Sequence, residues 1–457
     1  MPMRPRALLA VCVLLPAAIL AIAGCGGSSP AATSSKSPTP LTLSAPTTVA
    51  SGKLAEVSTA VDRHSGRLYV TWSTALGKQI PAGWGPAGNV YVAWSDDGGK
   101  TFSPPVRVGS AAGEDFSGSP VNIGVTPKGT VVMDWENNTA DPSIPAGGQF
   151  AIRVARSTDR GRTWTVSTQP PDGGKQLVSR PNLYVSPSGQ VWLDWLDGRP
   201  VDRKIPEPLY DVDLSLSRDE GRTFSYSWVA KSQSCQCCRP ALAQGPHGLL
   251  ALAWRNVVQA PGSEGHAEMD MSDMSDMSAA EMKAMPATAD IRDIKVATSA
   301  DGGREWGVGV EPHDDHWKID GCPIIGPSLF YTPDGKELVV SWFTGATGRI
   351  GVWTASSEDN GKTWSAPTRL TSSVVATGAD IVGMAGSDGG HWTAWATPRA
   401  VQAARIEPGG DLAETKPLPG VAAGVAPALA ETSRGTLLFY IAKTGAGDRL
   451  LARLVGG

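Results

Sequence analysis

The chain has 457 residues, of which 53 are Gly and 36 are Pro, and only 18% are charged. A formal net charge of −4 offers no basic surface for nucleic acid. So many Gly and Pro residues interrupt helices every few turns, and 16 Trp argue against a disordered chain. The composition favours many short strands joined by turns.

The first 25 residues have the features of an export signal. Arg4 and Arg6 precede an apolar run that ends in Ala-Gly-Cys25. This ending resembles the bacterial lipobox, which implies cleavage before Cys25 and a lipid on its sulfur; the alternative is an ordinary signal peptide with an incidental Cys. We therefore predict a signal peptide at 1–24 and a lipidated Cys with a flexible linker at 25–41.

This prediction places the protein outside the cytoplasm. The lipid would hold it, as a monomer, on the outer face of the cytoplasmic membrane, in the periplasm or at the cell surface. In such a compartment disulfides persist.

A short motif, Ser-x-Asp-x-Gly-x-x-(Trp/Phe), occurs five times. The chemistry is that of a hairpin turn: the Asp accepts backbone N–H bonds, the Gly supplies a positive φ and the aromatic packs between sheets. The motif resembles the Asp-box, or BNR repeat, of the sialidase-like β-propellers, which implies an all-β propeller of four-stranded blades. We assign the five Asp a structural role: Asp97, Asp159, Asp219, Asp301 and Asp359.

A second pattern precedes each box: an apolar strand, a Gly-containing turn and a strand that ends in an aromatic residue. The strand-ending aromatics are Trp72, Trp135, Trp195, Trp254, Trp342, Trp395 and Tyr440. They favour seven blades within residues 42–457, with the six blades of sialidases as the alternative. The last repeat lacks a fourth strand, which the segment near Leu41 to Val49 is predicted to supply.

Antiparallel strands alternate in direction, so one face of the propeller collects the first-strand starts, the second-strand ends and the links between blades. We call it the link face. Two links and the insertion between them, 257–290, place the unusual residues there, around blades three to five. Propellers usually bind ligands at one mouth of the channel, so we predict the site on this face. Three histidines lie on turns toward the other face and are predicted to be solvated: His64, His247 and His391.

The insertion contains HAEMDMSDMSDMSAAEMKAM, residues 266–285. Thioethers are soft donors that suit Cu(I), and exported Met-rich runs of this kind resemble those of bacterial copper-handling proteins. The alternatives are a disordered loop rich in Met by composition, or a helical Met stripe that docks on a partner. The candidate ligands here are His266, Met269, Met271, Met274, Met277, Met282 and Met285.

Four cysteines remain after processing, and two interpretations stay open. They either form one or two disulfides that join neighbouring links, or contribute thiolates to a metal site with nearby imidazoles. The residues concerned are Cys235, Cys237, Cys238 and Cys322, with His313 and His316.

The resemblance to sialidases also implies a catalytic set of three Arg, a Tyr–Glu pair and an acidic residue. Here Arg180, Arg239 and Arg255 would hold a carboxylate, and Asp134 and Asp194 would serve as acid and base. No Tyr matches the nucleophile, and Tyr184 and Tyr210 are only candidates by position. We expect copper handling without turnover, with a sialidase or other glycoside hydrolase as the alternative and an interaction scaffold as the third possibility.

Overall fold

The computed structural model describes residues 41–79, 86–109, 115–116, 121–139, 149–171, 178–198, 209–260, 290–319, 321, 323–376, 378–408, 410–418, 427–444 and 447–456. In this part the regular structure is β-strand, apart from one 3₁₀ turn at Pro246–Gly248. The all-β prediction is confirmed. The signal peptide, Cys25, the Met-rich stretch and Cys322 lie outside the described residues.

The strands of the first half follow the repeats closely. They are β1 (Thr42–Leu43), β2 (Thr47–Gly52), β3 (Leu54–Val61), β4 (Leu68–Gln79), β5 (Pro86–Ser95), β6 (Val106–Arg107), β7 (Asp115–Phe116), β8 (Val121–Val125), β9 (Val131–Thr139), β10 (Gln149–Ser157), β11 (Thr165–Thr168), β12 (Val178–Val185), β13 (Val191–Asp197), β14 (Tyr210–Ser217) and β15 (Trp228–Ser234).

The second half continues the pattern. Its strands are β16 (Ala241–Gln244), β17 (Leu250–Val258), β18 (Asp290–Ser299), β19 (Lys318–Ile319), β20 (Ser328–Tyr331), β21 (Leu338–Thr344), β22 (Gly351–Ser357), β23 (Thr368–Thr371), β24 (Val382–Ala385), β25 (His391–Ala396), β26 (Val401–Ile406), β27 (Leu412–Leu418), β28 (Ala428–Thr432), β29 (Gly435–Thr444) and β30 (Gly447–Gly456). No helix among the described residues has the length and apolar content needed to cross a bilayer.

The antiparallel pairs group around seven inner strands: β3, β8, β12, β16, β20, β24 and β28. Each inner strand contacts the next along the chain, and β28 contacts β3, so the described inner strands form a closed cycle around a channel. This arrangement is a β-propeller, as predicted. The cycle contains seven inner strands, and this number is the observation relevant to the choice between seven and six blades.

The N-terminal strands complete the last blade. β2 pairs with β30 through Thr47↔Ala452 and its neighbours, and β1 pairs with the other end of the same strand. This is the segment that the sequence assigned to the missing fourth strand. The N-terminal strands therefore cover the edge of β30 and supply the outer strand of the last blade.

The hydrophobic core lies between neighbouring blades rather than at one centre. The strand-ending aromatics are all buried, and Trp195, for example, packs with Val132 and Val154 of the preceding blade. Each such side chain stabilises the fold by roughly 1.5–3 kcal/mol when it leaves water. Blade-to-blade packing therefore supports the rigid ring on which the links are displayed.

The Asp-boxes form the turns that their sequences predict. In the first, Asp97 Oδ1 accepts hydrogen bonds from Ser95 Oγ (2.7 Å) and from Thr101 N (3.0 Å). Gly99 has φ +83°, and a Cβ there would lie 2.5 Å from a methyl group of Leu437. These bonds hold the pKa of the Asp97 carboxyl below its usual range. The other four boxes repeat the Ser-to-Asp bond, so these carboxylates are engaged within their own turns.

Candidate functional site

Four charged residues occupy equivalent positions at the mouth of the channel on the link face. Glu56 immediately precedes Val57, which pairs with the buried Trp72. The other three lie at corresponding places in or just before their inner strands, one residue before Pro181, Pro240 and Ile381. They are Glu56, Arg180, Arg239 and Asp380, and we call them the channel ring. The resemblance to sialidases predicted the two Arg of the ring as ligand-binding residues. It did not predict the two acidic residues, Glu56 and Asp380.

Arg239 is the best-connected member of the ring. Its Nε lies 3.2 Å from Asp380 Oδ2, and its Nη1 donates to Asn122 Oδ1 at 2.9 Å. Gly326 brings the next blade close: its N–H donates to Asp380 Oδ1 at 2.7 Å, and a Cβ on it would lie 2.3 Å from the Arg239 carbonyl oxygen. The ion pair is therefore fixed by backbone from a neighbouring link.

Two carboxyls lie in the channel wall behind the ring. Asn122 Nδ2 donates to Asp134 Oδ1 at 2.7 Å, and Asn182 Nδ2 donates to Asp194 Oδ1 at 3.1 Å in the next blade. Burial raises the pKa of Asp134 to about 7, and burial beside Asp134 raises the pKa of Asp194 well above its usual value. Both side chains are inaccessible to solvent, so neither can touch a ligand in the channel directly.

Glu56 and Arg180 are only partly buried and face the channel more openly. Loss of water raises the pKa of Glu56 to about 8 despite the opposing charges of Arg180 and Arg239. Arg180 has φ +54°, a left-handed conformation that is strained for a residue with a Cβ. Its N–H donates to Glu136 Oε2 at 3.2 Å, which holds the backbone in this conformation.

Arg255 does not join the channel ring. Its guanidinium donates to the carbonyl oxygens of Arg292 (2.8 Å) and Phe343 (3.0 Å) and reaches Ile325 O at 3.2 Å. It also lies over the ring of Trp317. These contacts tie the links of blades four and five together, whereas the sequence placed this Arg in a carboxylate-binding triad.

A cluster of three sulfur atoms lies in the link before blade four. Cys235 Sγ is 3.0 Å from Cys238 Sγ and 3.7 Å from Cys237 Sγ. Cys235 and Cys238 are buried reduced thiols, whereas Cys237 is disulfide-bonded. All three sulfurs lie close enough together to hold a metal ion, and one of them is in a disulfide. Whether they serve as a staple between links or as a metal site stays a prediction.

The positive charge around Cys235 comes from β17 and β18. Arg292 Nη1 donates to Cys235 Sγ at 3.5 Å, and Arg292 Nη2 lies 3.8 Å from Asp290 Oδ2. Although burial opposes ionisation, the thiol of Cys238 together with Arg292 and Arg255 lowers the pKa of Cys235 to about 5. Burial next to this thiolate raises the pKa of Cys238.

The two predicted histidines lie just before β19, which pairs with β18 as part of blade four, rather than in the link after it. Both are beside carboxylates. His313 Nδ1 is 3.1 Å from Asp315 Oδ1, and His316 Nδ1 contacts Asp314. His316 N also donates to Asp293 Oδ2 at 2.9 Å and has φ +49°. The structure thus gives both imidazoles acidic partners.

The insertion begins and ends next to the thiols. Cys235 N donates to Arg255 O at 3.0 Å, and Val257 packs against Cys235 and Cys238. The strands run further than the sequence suggested, because β17 continues to Val258 and β18 already begins at Asp290. Asp290 Oδ1 accepts a hydrogen bond from Ala260 N at 3.0 Å, which closes the base of the insertion.

Neither Tyr candidate occupies the position of a nucleophile. The hydroxyl of Tyr184 accepts a hydrogen bond from Gln244 N at 3.0 Å, between two inner strands. Tyr210 packs at the edge of a hydrophobic cluster between blades three and four. Arg292, Glu56 and Asp380 are the functional candidates that sequence reasoning missed.

Comparisons with known proteins bear on the fold. A Dyadobacter fermentans protein of unknown function matches with TM-score 0.51 and 15% identity, over 91% of this chain and 98% of that one. A Hadza microbial sialidase matches with TM-score 0.46 and 17% identity, over 78% of this chain and 63% of its own. A Penicillium chrysogenum α-L-arabinanase matches with TM-score 0.49 and 13% identity, over 91% and 98% of the two chains.

No family model and no curated protein sequence matches the chain. The structural likenesses are too distant in sequence to carry over an activity, so they concern the fold alone. The five Asp-box turns and the closed cycle of inner strands make the fold a β-propeller.

Proposed function

We propose that the chain binds Cu(I) on its link face, with Cys235 and Cys238 as the central ligands. The observation that carries the proposal is a buried pair of reduced thiols beside the Arg292 guanidinium. The proposal includes the location predicted from residues 1–41: lipid-anchored, outside the cytoplasm and monomeric. Its role is binding or delivery of the metal, not turnover.

The number and charge of the ligands favour a soft monovalent ion. Structural zinc takes four protein ligands, whereas the described part of the link offers two reduced thiols; soft sulfur ligands suit Cu(I). Two thiolates and Cu(I) leave one negative charge, which Arg292 offsets at short range. With a metal–sulfur distance near 2.3 Å, linear coordination needs sulfurs roughly 4.5 Å apart, so loading must separate the pair.

The position of the insertion supports a route for the metal. Its base adjoins the thiols through Val257 and Arg255. Six thioethers outside the described residues would capture Cu(I) weakly and pass it to the tighter thiolates. His266, His313 and His316 are proposed as outer ligands on the same face.

An anaerobic Cu(I) titration of the full chain, purified in mild detergent and reduced, tests the proposal. We use bicinchoninate as the competing chelator and compare the wild type with a C235S/C238S variant. We expect one tight site that weakens at least 100-fold in the variant, because hydroxyls are poor ligands for soft ions. Changing the six insertion Met to Leu should slow loading, whereas Met384→Leu, a Met outside the insertion, should change nothing.

Two outcomes would refute copper binding. One is the absence of a tight site in the reduced wild type. The other is an affinity in C235S/C238S equal to that of the wild type. A thermal melt of each variant shows whether a lost site reflects lost folding.

The second candidate function is hydrolysis or binding of a glycan in the channel. The observation that favours it is the position of the Glu56 carboxyl near Arg180 and Arg239 of the ring, where burial raises its pKa to about 8. A general acid with a raised pKa is what glycosidic cleavage requires. On this hypothesis Arg180 and Arg239 hold the substrate, and Asp134 and Asp194 set the charge of the wall.

A fluorogenic sialoside and a panel of neutral fluorogenic glycosides test this second function. We expect release of the fluorophore by the wild type and a loss of at least 100-fold in Glu56→Gln. Cu(I) affinity should be unchanged in that variant. Equal rates for wild type and Glu56→Gln, or none for either, would remove the hydrolase from consideration.

A further inference from the structure

We propose that Cys235, Cys237 and Cys238 carry out an internal thiol–disulfide exchange, in which the disulfide at Cys237 is transferred to the pair Cys235–Cys238. The exchange uses the disulfide of Cys237, which is not one of the two central copper ligands proposed above. It does not depend on whether the chain binds copper. It makes the link before blade four chemically active rather than a fixed staple.

The geometry places Cys235 between its two reaction partners. Its sulfur lies 3.7 Å from the disulfide sulfur of Cys237 and 3.0 Å from the thiol of Cys238. Exchange proceeds by attack of a thiolate on a disulfide sulfur. Arg292 Nη1 donates to Cys235 Sγ at 3.5 Å, so a cationic group lies directly against the attacking sulfur.

The reaction balances without an external oxidant. In the first step the Cys235 thiolate bonds to Cys237 Sγ and expels the sulfur previously joined to Cys237, which leaves as a thiolate. The expelled thiolate takes up one proton and Cys238 gives one up. In the second step the Cys238 thiolate bonds to Cys235 Sγ and expels Cys237 as a thiolate. One disulfide, one thiol and one thiolate are present before and after.

The burial of Cys235 and Cys238 confines the exchange to sulfurs of this chain. It also determines which sulfur is exposed before and after the exchange. Cys235 and Cys238 are only 1% and 0% exposed, so outside thiols cannot reach them, whereas Cys237 is partly exposed. Before exchange the chain has a buried pair of reduced sulfurs. Afterwards it has a buried disulfide and a reduced Cys237 at the surface. The same link can thus present soft ligands inside or a reactive sulfur outside.

Native-state alkylation of the full chain tests the exchange. The protein is purified in detergent without reductant, treated with iodoacetamide, quenched in acid and mapped by mass spectrometry without reduction. We expect carbamidomethyl on Cys237 and a Cys235–Cys238 disulfide within the peptide 232–239. Alkylation traps the exchanged state, so this product should accumulate with time.

Variants separate exchange from direct labelling. Cys235→Ser should slow labelling of Cys237 at least tenfold, because the attacking sulfur is missing. Cys238→Ser should stop after the first step, with a Cys235–Cys237 disulfide. Gln236→Ala is the matched control and should label like the wild type. Circular dichroism confirms that each variant is folded before labelling.

Two results would overturn the proposal. One is wild-type protein labelled at Cys235 and Cys238 with the disulfide at Cys237 retained. The other is Cys235→Ser labelled at Cys237 as fast as the wild type. Both alkylation results are measured without copper. The Cu(I) titration therefore tests copper binding independently of the exchange.

Discussion

Replacing Arg255 with Met lowers the free energy of unfolding by about 3–5 kcal/mol. Arg255 is 1% exposed, and its guanidinium donates to the carbonyl oxygens of Arg292 in β18, Ile325 in a link and Phe343 in β21. Met keeps much of the alkyl volume but leaves these buried acceptors without a donor. Each lost buried bond costs roughly 1–3 kcal/mol, so the combined effect is large.

Denaturant unfolding at constant pH measures the effect. Arg255→Lys restores the charge but offers a single nitrogen, so we expect a smaller loss than with Met. Arg218→Met, an exposed Arg on a turn, should remain within about 0.5 kcal/mol of the wild type.

The experiment also separates two roles for Arg255. As a structural clamp it affects stability whether or not a ligand is present. As the third Arg of a carboxylate-binding triad it would affect ligand binding and leave unfolding within about 1 kcal/mol of the wild type. The second result would contradict the contacts described here.

The fold could be predicted because its signals are local. An Asp-box encodes its turn in eight consecutive residues, and a buried aromatic residue, Trp in six repeats and Tyr440 in the last, marks each second strand. The strand that closes the ring could be predicted by counting strands in each repeat. The last repeat lacked a fourth strand, which the N-terminal segment could supply. None of these steps required knowledge of contacts between distant residues.

Parts of the site could not be found in this way. Glu56 and Asp380 belong to the channel ring, but Val57 and Ile381 follow them, whereas Pro181 and Pro240 follow the two predicted Arg. Alignment on the residue facing the buried aromatic would have revealed them. Arg292 was missed because only strand pairing brings it opposite Val257, beside the thiols.

His391 shows the limit of a turn-based prediction. It was expected to be solvated, but it is buried, and Phe330 of the preceding blade packs edge-on against its ring. Burial lowers its pKa to about 4. The covering residue comes from another repeat, so nothing near His391 in the sequence indicates it.

Replacing Asp134 with Asn should remove much of the loss of stability that the wild type shows as the pH rises. In the folded protein the pKa of Asp134 is about 7, above the usual 3.8, so the native state holds a proton that the unfolded chain releases. Its favourable contribution is complete below about pH 4 and is lost as the pH rises through 7. Asn mimics the protonated acid: it retains the acceptor for Asn122 and places an amide at Oδ2, which has no hydrogen-bond partner among the described residues.

The expected difference is large and has a definite sign. Asp134→Asn and wild type should unfold with similar free energies at pH 4, and the variant should be more stable by about 4 kcal/mol above pH 7, at 1.36 kcal/mol for each unit of pKa shift. Urea unfolding at intervals from pH 4 to 8.5 measures it. The free energy of unfolding of the variant should still decrease with rising pH, although less steeply, because Glu56 and Asp194 also have raised pKa values.

Asp159→Asn provides the control of opposite sign. The turn bonds lower the pKa of Asp159 to about 2, so its contribution is present above about pH 4 and is lost as the pH falls toward 2. Between pH 5 and 8 this variant should show a constant loss of stability and no change of slope. If Asp134→Asn also ran parallel to the wild type over that range, Asp134 would be ionised in the fold. Arg239 and Asn122 would then be stabilising a buried negative charge, and the channel wall would be an anionic surface rather than a neutral one.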